Sequence, residues 1–111
     1  MKKVKIGFIG IGLMGYPMAK NLLKSKYQVK VFNRTKNKAL KLKKFGAEVC
    51  NSLKEVVSDR DLIITMLSDD KAIKKIYFNS EFLKNLKVGS TVIDMSPVSY
   101  THLTLPTILL V

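Results

Sequence analysis

Residues 4–15 read Val-Lys-Ile-Gly-Phe-Ile-Gly-Ile-Gly-Leu-Met-Gly, and this stretch decides the fold. Val4 to Ile9 is a short apolar run that stops at a glycine, which is typical of a strand buried in a parallel sheet. The next glycines have the spacing G-x-G-x-x-G, and apolar residues at helical spacing follow them directly. The stretch therefore predicts a strand, a tight turn and a helix in that order.

The glycine turn predicts a site for the pyrophosphate of a dinucleotide. Gly10 permits the tight turn, Gly12 lets the backbone approach a phosphate, and Gly15 lets the helix pack close to the sheet. Free N–H groups at the helix start favour an anion there. An ordinary glycine-rich turn is the alternative, and a nucleotide-hydrolase loop is excluded because no Gly-Lys-Ser/Thr follows. The predicted loop comprises Gly10, Ile11, Gly12, Leu13, Met14 and Gly15.

Strand and helix patterns alternate along the rest of the chain. Gly46 is a predicted helix stop, and Ser52 with Glu55 predicts a capping box. Alternation with short loops indicates an α/β fold, a Rossmann-type doubly wound parallel sheet covered on both faces. Strands are predicted over 4–9, 28–32, 48–50, 61–67 and 91–94, and helices over 13–26, 36–45, a short segment after Ser52, and from Asp69 or Asp70 to Tyr77.

The residues after the second predicted strand bear on the choice of nicotinamide cofactor. An NAD-selective site of this type places Asp or Glu there to bind the ribose hydroxyls, but this chain has Asn33-Arg34-Thr35, with Lys38 nearby. Arg34 would pair with a 2′-phosphate and stack on the adenine, while Asn33 and Thr35 would donate hydrogen bonds. We therefore expect NADP as the cofactor, with NAD as the alternative. The alternative without a function is that Arg34 is a loop residue exposed to solvent.

Composition limits the remaining classes of protein. The 111 residues suit one domain, 47% of them are hydrophobic and 25% charged, and the single cysteine, Cys50, is expected to be a small buried residue. A net charge of +12 leaves a nucleic-acid-binding domain open. However, the lysines lie at helical spacing among apolar residues, which favours a solvated face. No apolar run approaches a membrane span, so a cytoplasmic protein is expected.

Four separated tracts of the chain resemble the β-hydroxyacid dehydrogenases, the group of 3-hydroxyisobutyrate dehydrogenase and the glyoxylate and succinic semialdehyde reductases. The tracts are Gly7 to Leu22, Asn33-Arg34-Thr35, Ile63 to Ser68, and Val92-Ile93-Asp94-Met95-Ser96. Related 6-phosphogluconate dehydrogenases and imine reductases share the loop, whereas Pro17-Met18-Ala19 favours the hydroxyacid group.

The resemblance implies an oxidoreductase that moves a hydride between NADP(H) and a small 3-hydroxy acid or semialdehyde. Met66, Leu67 and Ser68 would line the cofactor, and Ser96 would contact cofactor and substrate. In this family the catalytic lysine lies in an all-helical domain that also builds the homo-oligomer. No residue of this chain matches that lysine motif, so no catalytic residue is assigned, and no metal or membrane partner is expected.

The resemblance stops after Ser96, where Pro97 replaces the expected hydroxyl residue. Residues 98–107 resemble a translated transposase-type sequencing adapter, so the lone His102 is not expected to be catalytic. The sequence thus predicts an incomplete NAD(P)-binding domain over 1–97, without the helical domain, and a non-native tail over 98–111. The fragment is expected to be inactive by itself. A stand-alone dinucleotide-sensing module is the alternative function.

Overall fold

The computed structural model describes residues 4–11, 15–67, 70–95 and 108–110. They form a six-stranded parallel sheet in the order β3-β2-β1-β4-β5-β6. The strands are β1 Lys5–Ile9, β2 Gln28–Phe32, β3 Glu48–Val49, β4 Leu62–Thr65, β5 Thr91–Asp94 and β6 Ile108–Leu110. The helices are α1 Gly15–Lys24, α2 Lys36–Leu40, α3 Leu53–Val57, α4 Asp70–Tyr77 and α5 Ser80–Lys84, with a 3-10 turn at Lys43–Phe45.

Helices cover both faces of the sheet, as the alternating pattern predicts. Successive strand residues point to opposite faces, so Phe8 packs with α1 and α2 while Ile9 packs with α3, α4 and α5. The core on the first face includes the buried residues Ala19, Ala39 and Leu42. The core on the second face includes the buried residues Val56, Ile73, Tyr77 and Phe82. The predicted doubly wound α/β fold is confirmed.

The strand order reverses between β1 and β4, which are neighbours in the sheet although six elements, counting the 3-10 turn, lie between them in the chain. The connection after β1 leads towards β2, and the connection after β4 leads towards β5. Ile9 pairs with Phe32 on one side and Thr65 on the other. Ligands of doubly wound sheets bind in the crevice beyond such a reversal, so this edge positions the candidate site.

The predicted helix over 36–45 is wrong as one continuous element. α2 ends at Leu40, and the chain then tightens into the 3-10 turn before Gly46, which ends it in the left-handed region at φ 103°. Backbone bonds three residues apart, including Leu42 N–H to Ala39 O, replace the α-helical pattern. Three residues per turn place Ala39, Leu42 and Phe45 on one face, so the tighter winding serves their burial.

Other element boundaries also differ from the sequence pattern. α1 ends at Lys24 because Lys26 adopts φ 70° and its neighbour Tyr27 donates its N–H to Leu22 O, the arrangement that usually recruits glycine. Ser52 accepts from Glu55 N–H as predicted, while the Glu55 carboxylate accepts from Asn51 N–H. Two elements, α5 and β6, were not predicted; β6 lies within the tail and pairs with β5.

Four charged residues form a network at the amino edge of the sheet, where the strands begin. Lys5 Nζ lies 2.9 Å from Asp59, and Lys87 Nζ lies 2.9 Å from Asp61 and 3.8 Å from Asp59. The Lys5 backbone N–H also donates to Asp61 Oδ2 at 2.9 Å. This edge is therefore stabilised by paired charges.

Cys50 is buried, as the composition suggests, and burial raises the pKa of its thiol to about 11. The thiol therefore stays protonated near neutral pH and packs as a small apolar side chain. Within the part of the chain that the structure describes, none of the helices is long and apolar enough to cross a membrane.

Candidate functional site

A cavity of about 830 Å³ opens beyond the carboxyl ends of β1, β2 and β4. Pockets for small molecules and cofactors usually have about 300–1,000 Å³, so it has room for a nucleotide. We call it the carboxyl-edge pocket. Its described lining is Ile9, Gly10, Ile11, Phe32, Asn33, Arg34, Thr35, Lys38, Met66, Leu67, Lys71, Ala72, Lys74, Lys75 and Ile76.

Gly10 shapes the floor of the pocket. Its φ is +93°, and a Cβ built there would lie 2.1 Å from the carbonyl oxygen of Met66. Its N–H donates to Phe32 O at 2.9 Å, which ties the turn to the end of β2. Only glycine fits this turn without displacing the backbone after β4, as the predicted role of Gly10 requires.

Gly15 allows α1 to begin close to the same turn. A Cβ on Gly15 would lie 2.8 Å from Gly10 O and 3.4 Å from the Phe8 ring. Ile11 is buried between the turn and the core. Gly12, Leu13 and Met14, the other residues of the predicted pyrophosphate loop, lie outside the described residues, so their predicted contacts stay predictions.

Asn33 joins the glycine turn to the β2–α2 loop. Its Oδ1 accepts from Ile11 N–H at 2.8 Å, and its Nδ2 donates to Thr35 O at 2.8 Å. The amide thus holds two backbone segments of the pocket at a fixed separation, a positioning role that the sequence prediction did not include. The second Nδ2 proton still allows the predicted hydrogen bond to a ligand.

Arg34, Thr35 and Lys38 lie together on the wall of the pocket formed by the β2–α2 loop. All three side chains are exposed. Thr35 occupies the N-cap position of α2, but its hydroxyl makes no capping hydrogen bond. The structure therefore brings Arg34 and Thr35, which the sequence predicts for a 2′-phosphate, together with the nearby Lys38 on one wall of the pocket.

The opposite side of the pocket includes residues predicted from the family resemblance and others that sequence reasoning missed. Met66 and Leu67 follow β4 and line the pocket, whereas Ser68 and Ser96 lie outside the described residues. Lys71, Lys74 and Lys75 of α4 also line it and were not predicted. Their spacing of three and four residues was the available signal, but it does not show towards which cavity the helix turns.

A buried polar trio, Thr65, Tyr77 and Asp94, connects α4 to β4 and β5. Thr65 Oγ1 donates to Asp94 Oδ1 at 3.1 Å and lies 2.7 Å from the Tyr77 hydroxyl, which therefore acts as the donor. Burial raises the pKa of the Tyr77 hydroxyl, so it remains a neutral donor. The Tyr77 ring meets Phe82 edge-on, with centroids 5.3 Å apart. These contacts fix the rotation of α4 about its axis.

The described lining fits an anionic nucleotide. It contains five cationic residues and no Asp or Glu. The glycine turn leaves space that a Cβ would fill, and the apolar side chains of Leu67, Ala72 and Ile76 offer a surface for a flat base. No group of His, Cys, Asp or Glu suited to a metal ion occurs among the described residues. The chemistry of the pocket is that of phosphate and base binding.

Comparison with known proteins gives consistent matches. Residues 5–104 match the family described as the NAD binding domain of 6-phosphogluconate dehydrogenase. The chain is 41% identical over 96 residues to glyoxylate/succinic semialdehyde reductase 1 of Arabidopsis thaliana, covering 86% of this chain and 33% of that protein.

Two solved structures share this architecture. The first, a Mycobacterium tuberculosis 3-hydroxyisobutyrate dehydrogenase with L-serine, gives a TM-score of 0.81 at 30% identity, covering 88% of this chain and 33% of that one. The second, an imine reductase from Myxococcus stipitatus in complex with NADP+, gives 0.79 at 28% identity, covering 86% and 32%. The chain spans about a third of the length of the curated relatives it matches.

Proposed function

Because the chain belongs to the family of the NAD binding domain of 6-phosphogluconate dehydrogenase, we propose that its carboxyl-edge pocket binds NADP(H) in preference to NAD(H). We further propose that it serves an oxidoreductase acting on a small 3-hydroxy acid or semialdehyde. The family resemblance inferred from the sequence is confirmed, and relatives at 41% and 38% identity are named as a reductase and a dehydrogenase.

The observation that carries the NADP assignment is the charge of the β2–α2 loop. Arg34 and Lys38 line the pocket where an NAD-selective site would place a carboxylate, and no acidic residue occurs in the described lining. A guanidinium binds a phosphate through two parallel N–H donors. The additional phosphate of NADP therefore meets favourable partners, whereas the ribose hydroxyls of NAD lack their usual acceptor.

The residues of this chain bind and orient the cofactor. Gly10 and Gly15 leave room for its pyrophosphate. Arg34 and Thr35 would hold the 2′-phosphate. Asn33 holds the glycine turn and the β2–α2 loop at a fixed separation. When bound, the nicotinamide ring supplies or accepts the hydride. Positioning of that ring against a substrate accounts for much of the catalysis in such enzymes.

The substrate class rests on the relatives. The Arabidopsis relative is named for glyoxylate and succinic semialdehyde, and a mouse relative, 38% identical, is named 3-hydroxyisobutyrate dehydrogenase. The family resemblance implies that a lysine outside the matched motifs would act as general acid or base at the substrate oxygen. We therefore expect purified 111-residue chain to bind NADPH without oxidising or reducing 3-hydroxyisobutyrate, glyoxylate or succinic semialdehyde, as followed at 340 nm; steady turnover would contradict this expectation.

Arg34→Ala tests the cofactor assignment. Loss of a charge-assisted hydrogen bond should weaken NADP+ binding by about 1.5–3 kcal/mol and NAD+ binding far less. Dissociation constants from isothermal titration calorimetry would measure both. Lys41→Ala, which removes an exposed charge just after α2 and outside the described lining, is the matched control. Equal losses for the two cofactors in Arg34→Ala would refute the assignment.

The boundary at residue 97 remains a proposal. The family match extends to residue 104, and β6 pairs with β5, while residues 98–107 keep their resemblance to an adapter. Resequencing of the locus by a library method without that adapter decides the origin of the tail. Recovery of the same codons for residues 98–111 would show that the tail is native.

A further inference from the structure

The α4 lysines, Lys71, Lys74 and Lys75, form a second cationic wall facing the β2–α2 loop across the carboxyl-edge pocket. Nothing in the sequence motifs assigns them a role. We propose that this wall shares in selecting a 2′-phosphorylated dinucleotide, so that cofactor preference depends on both walls and not on Arg34 alone. The inference rests on the proposed NADP function and names further residues for it.

Buried contacts fix the orientation of α4. Ile73 and Tyr77, four residues apart, are almost fully buried against the sheet. The Tyr77 hydroxyl is tied to Thr65, which is tied to Asp94. With this side of the helix fixed, Lys71 and Lys75 project from the opposite side, since residues two positions away differ by about 200° around a helix. The helix therefore cannot turn its lysines away without breaking a buried network.

The cations of the carboxyl-edge pocket are not paired with carboxylates of the described residues. The ion pairs among the described residues involve Lys5, Lys30 and Lys87, and none involves a cation of the pocket. All three α4 lysines and both cations of the β2–α2 loop are exposed around one cavity. Like charges gathered around a cavity create a positive potential that an anionic ligand relieves.

The two dinucleotides differ in how much binding free energy they gain from this positive potential. NAD and NADP share the pyrophosphate, so cations that act only there would strengthen both equally. The 2′-phosphate adds negative charge at the adenosine end, and Arg34 and Lys38 mark that end on the first wall. Since α4 faces these two residues across the same cavity, its field acts on the additional phosphate, and NADP gains more than NAD.

The experiment uses the full 111-residue chain and a charge-matched pair of triple variants. The test variant is K71Q/K74Q/K75Q, and the control is K24Q/K54Q/K84Q, which removes three exposed lysines outside the described pocket lining, on α1, α3 and α5. Glutamine is chosen because it keeps the helix propensity of lysine. Dissociation constants for NADP+ and NAD+ are measured by calorimetry at about 50 mM and 300 mM salt, below and above physiological ionic strength.

The test variant should raise the Kd for NADP+ by about tenfold more than the Kd for NAD+ at low salt, with a smaller difference at high salt. The control should shift both constants equally, by no more than about twofold. Equal losses for both cofactors in the test variant, or no loss, would overturn the proposal. If Arg34→Ala remains selective while the test variant is not, the second wall alone is wrong; if neither is selective, the NADP function fails as well.

Discussion

At the amino edge of the sheet, Lys5 and Lys87 pair with Asp59 and Asp61, whereas at the carboxyl edge five cations surround a cavity without a carboxylate in its described lining. Both edges lie on the same strands, so the sheet itself does not cause the difference. Charges at the amino edge pair with one another, whereas the cations of the carboxyl-edge pocket have no carboxylate partner among the described residues.

This contrast separates residues that hold the fold from residues that serve a ligand. Exposed ion pairs contribute little to stability individually, and the amino-edge network mainly joins the starts of β1, β4 and β5. Uncompensated cations around a cavity, in contrast, cost stability through repulsion and are expected where binding repays that cost. Variants at the two edges should therefore separate effects on folding from effects on cofactor affinity.

Gly10→Ala should produce the largest effect, and it tests whether the carboxyl edge depends on backbone geometry as well as charge. The substitution adds a Cβ at φ +93°, 2.1 Å from Met66 O. We expect a loss of about 3 kcal/mol or more in the free energy of unfolding, because the strained turn and the clash add. Urea unfolding followed by circular dichroism measures it, and NADP+ binding should disappear with it.

Gly89→Ala is the matched control for that variant. Gly89 has φ +87°, close to that of Gly10, but a Cβ there meets nothing within 4 Å. It should therefore show only the backbone cost, about 1–2 kcal/mol. Equal destabilisation by the two variants would mean that the close approach of Met66 O does not constrain the turn.

The sequence pattern predicted most of the fold because burial sets its periodicity. The runs around Phe8 and Ile64 place buried apolar residues on both faces, as a covered parallel sheet requires. The sequence pattern gave the wrong helix over 36–45, because the tighter winding there depends on tertiary burial of Leu42 and Phe45. α5 carried a signal in Asn79, whose side chain accepts from Glu81 and Phe82 N–H groups, but so short a helix has little periodicity.

The candidate site was predictable where a local motif carries the chemistry. Arg34, Thr35 and Lys38 follow a strand at a fixed distance from the glycine turn, so their grouping could be inferred from order along the chain. The α4 lysines could not be placed, because their direction depends on the contact of Tyr77 with Thr65, a pair 12 residues apart whose meeting only the fold determines. The bridging role of Asn33 between the glycine turn and the β2–α2 loop was not predicted for the same reason.

Tyr77→Phe should have an intermediate effect and tests whether the support beneath the carboxyl edge is separate from its surface charge. Removal of the hydroxyl deprives Thr65 Oγ1 of a buried hydrogen bond, which should lower the free energy of unfolding by about 1 kcal/mol. Tyr16→Phe is the control, since no hydrogen bond of its hydroxyl occurs among the described residues. If the trio also fixes the α4 lysines, NADP+ affinity should fall in Tyr77→Phe and remain unchanged in Tyr16→Phe.

Asp61→Asn should have the smallest effect, and it tests the amino edge. Hydrogen bonds from the Lys5 backbone N–H and from the Lys87 ammonium hold the pKa of Asp61 below its ordinary value of 3.8. A carboxyl group with a lowered pKa in the folded state stabilises the fold above its unfolded pKa, and this contribution disappears as the pH falls through the folded value. The native chain should therefore lose stability below about pH 4, and Asp61→Asn should lose less over the same range. Urea midpoints at pH 7, 4 and 3 measure this, with Glu81→Gln on α5 as a control that removes a carboxylate away from the amino edge. An unchanged pH dependence in Asp61→Asn, together with unchanged NADP+ affinity, would show that the paired charges of the amino edge are as dispensable for folding as they are for binding.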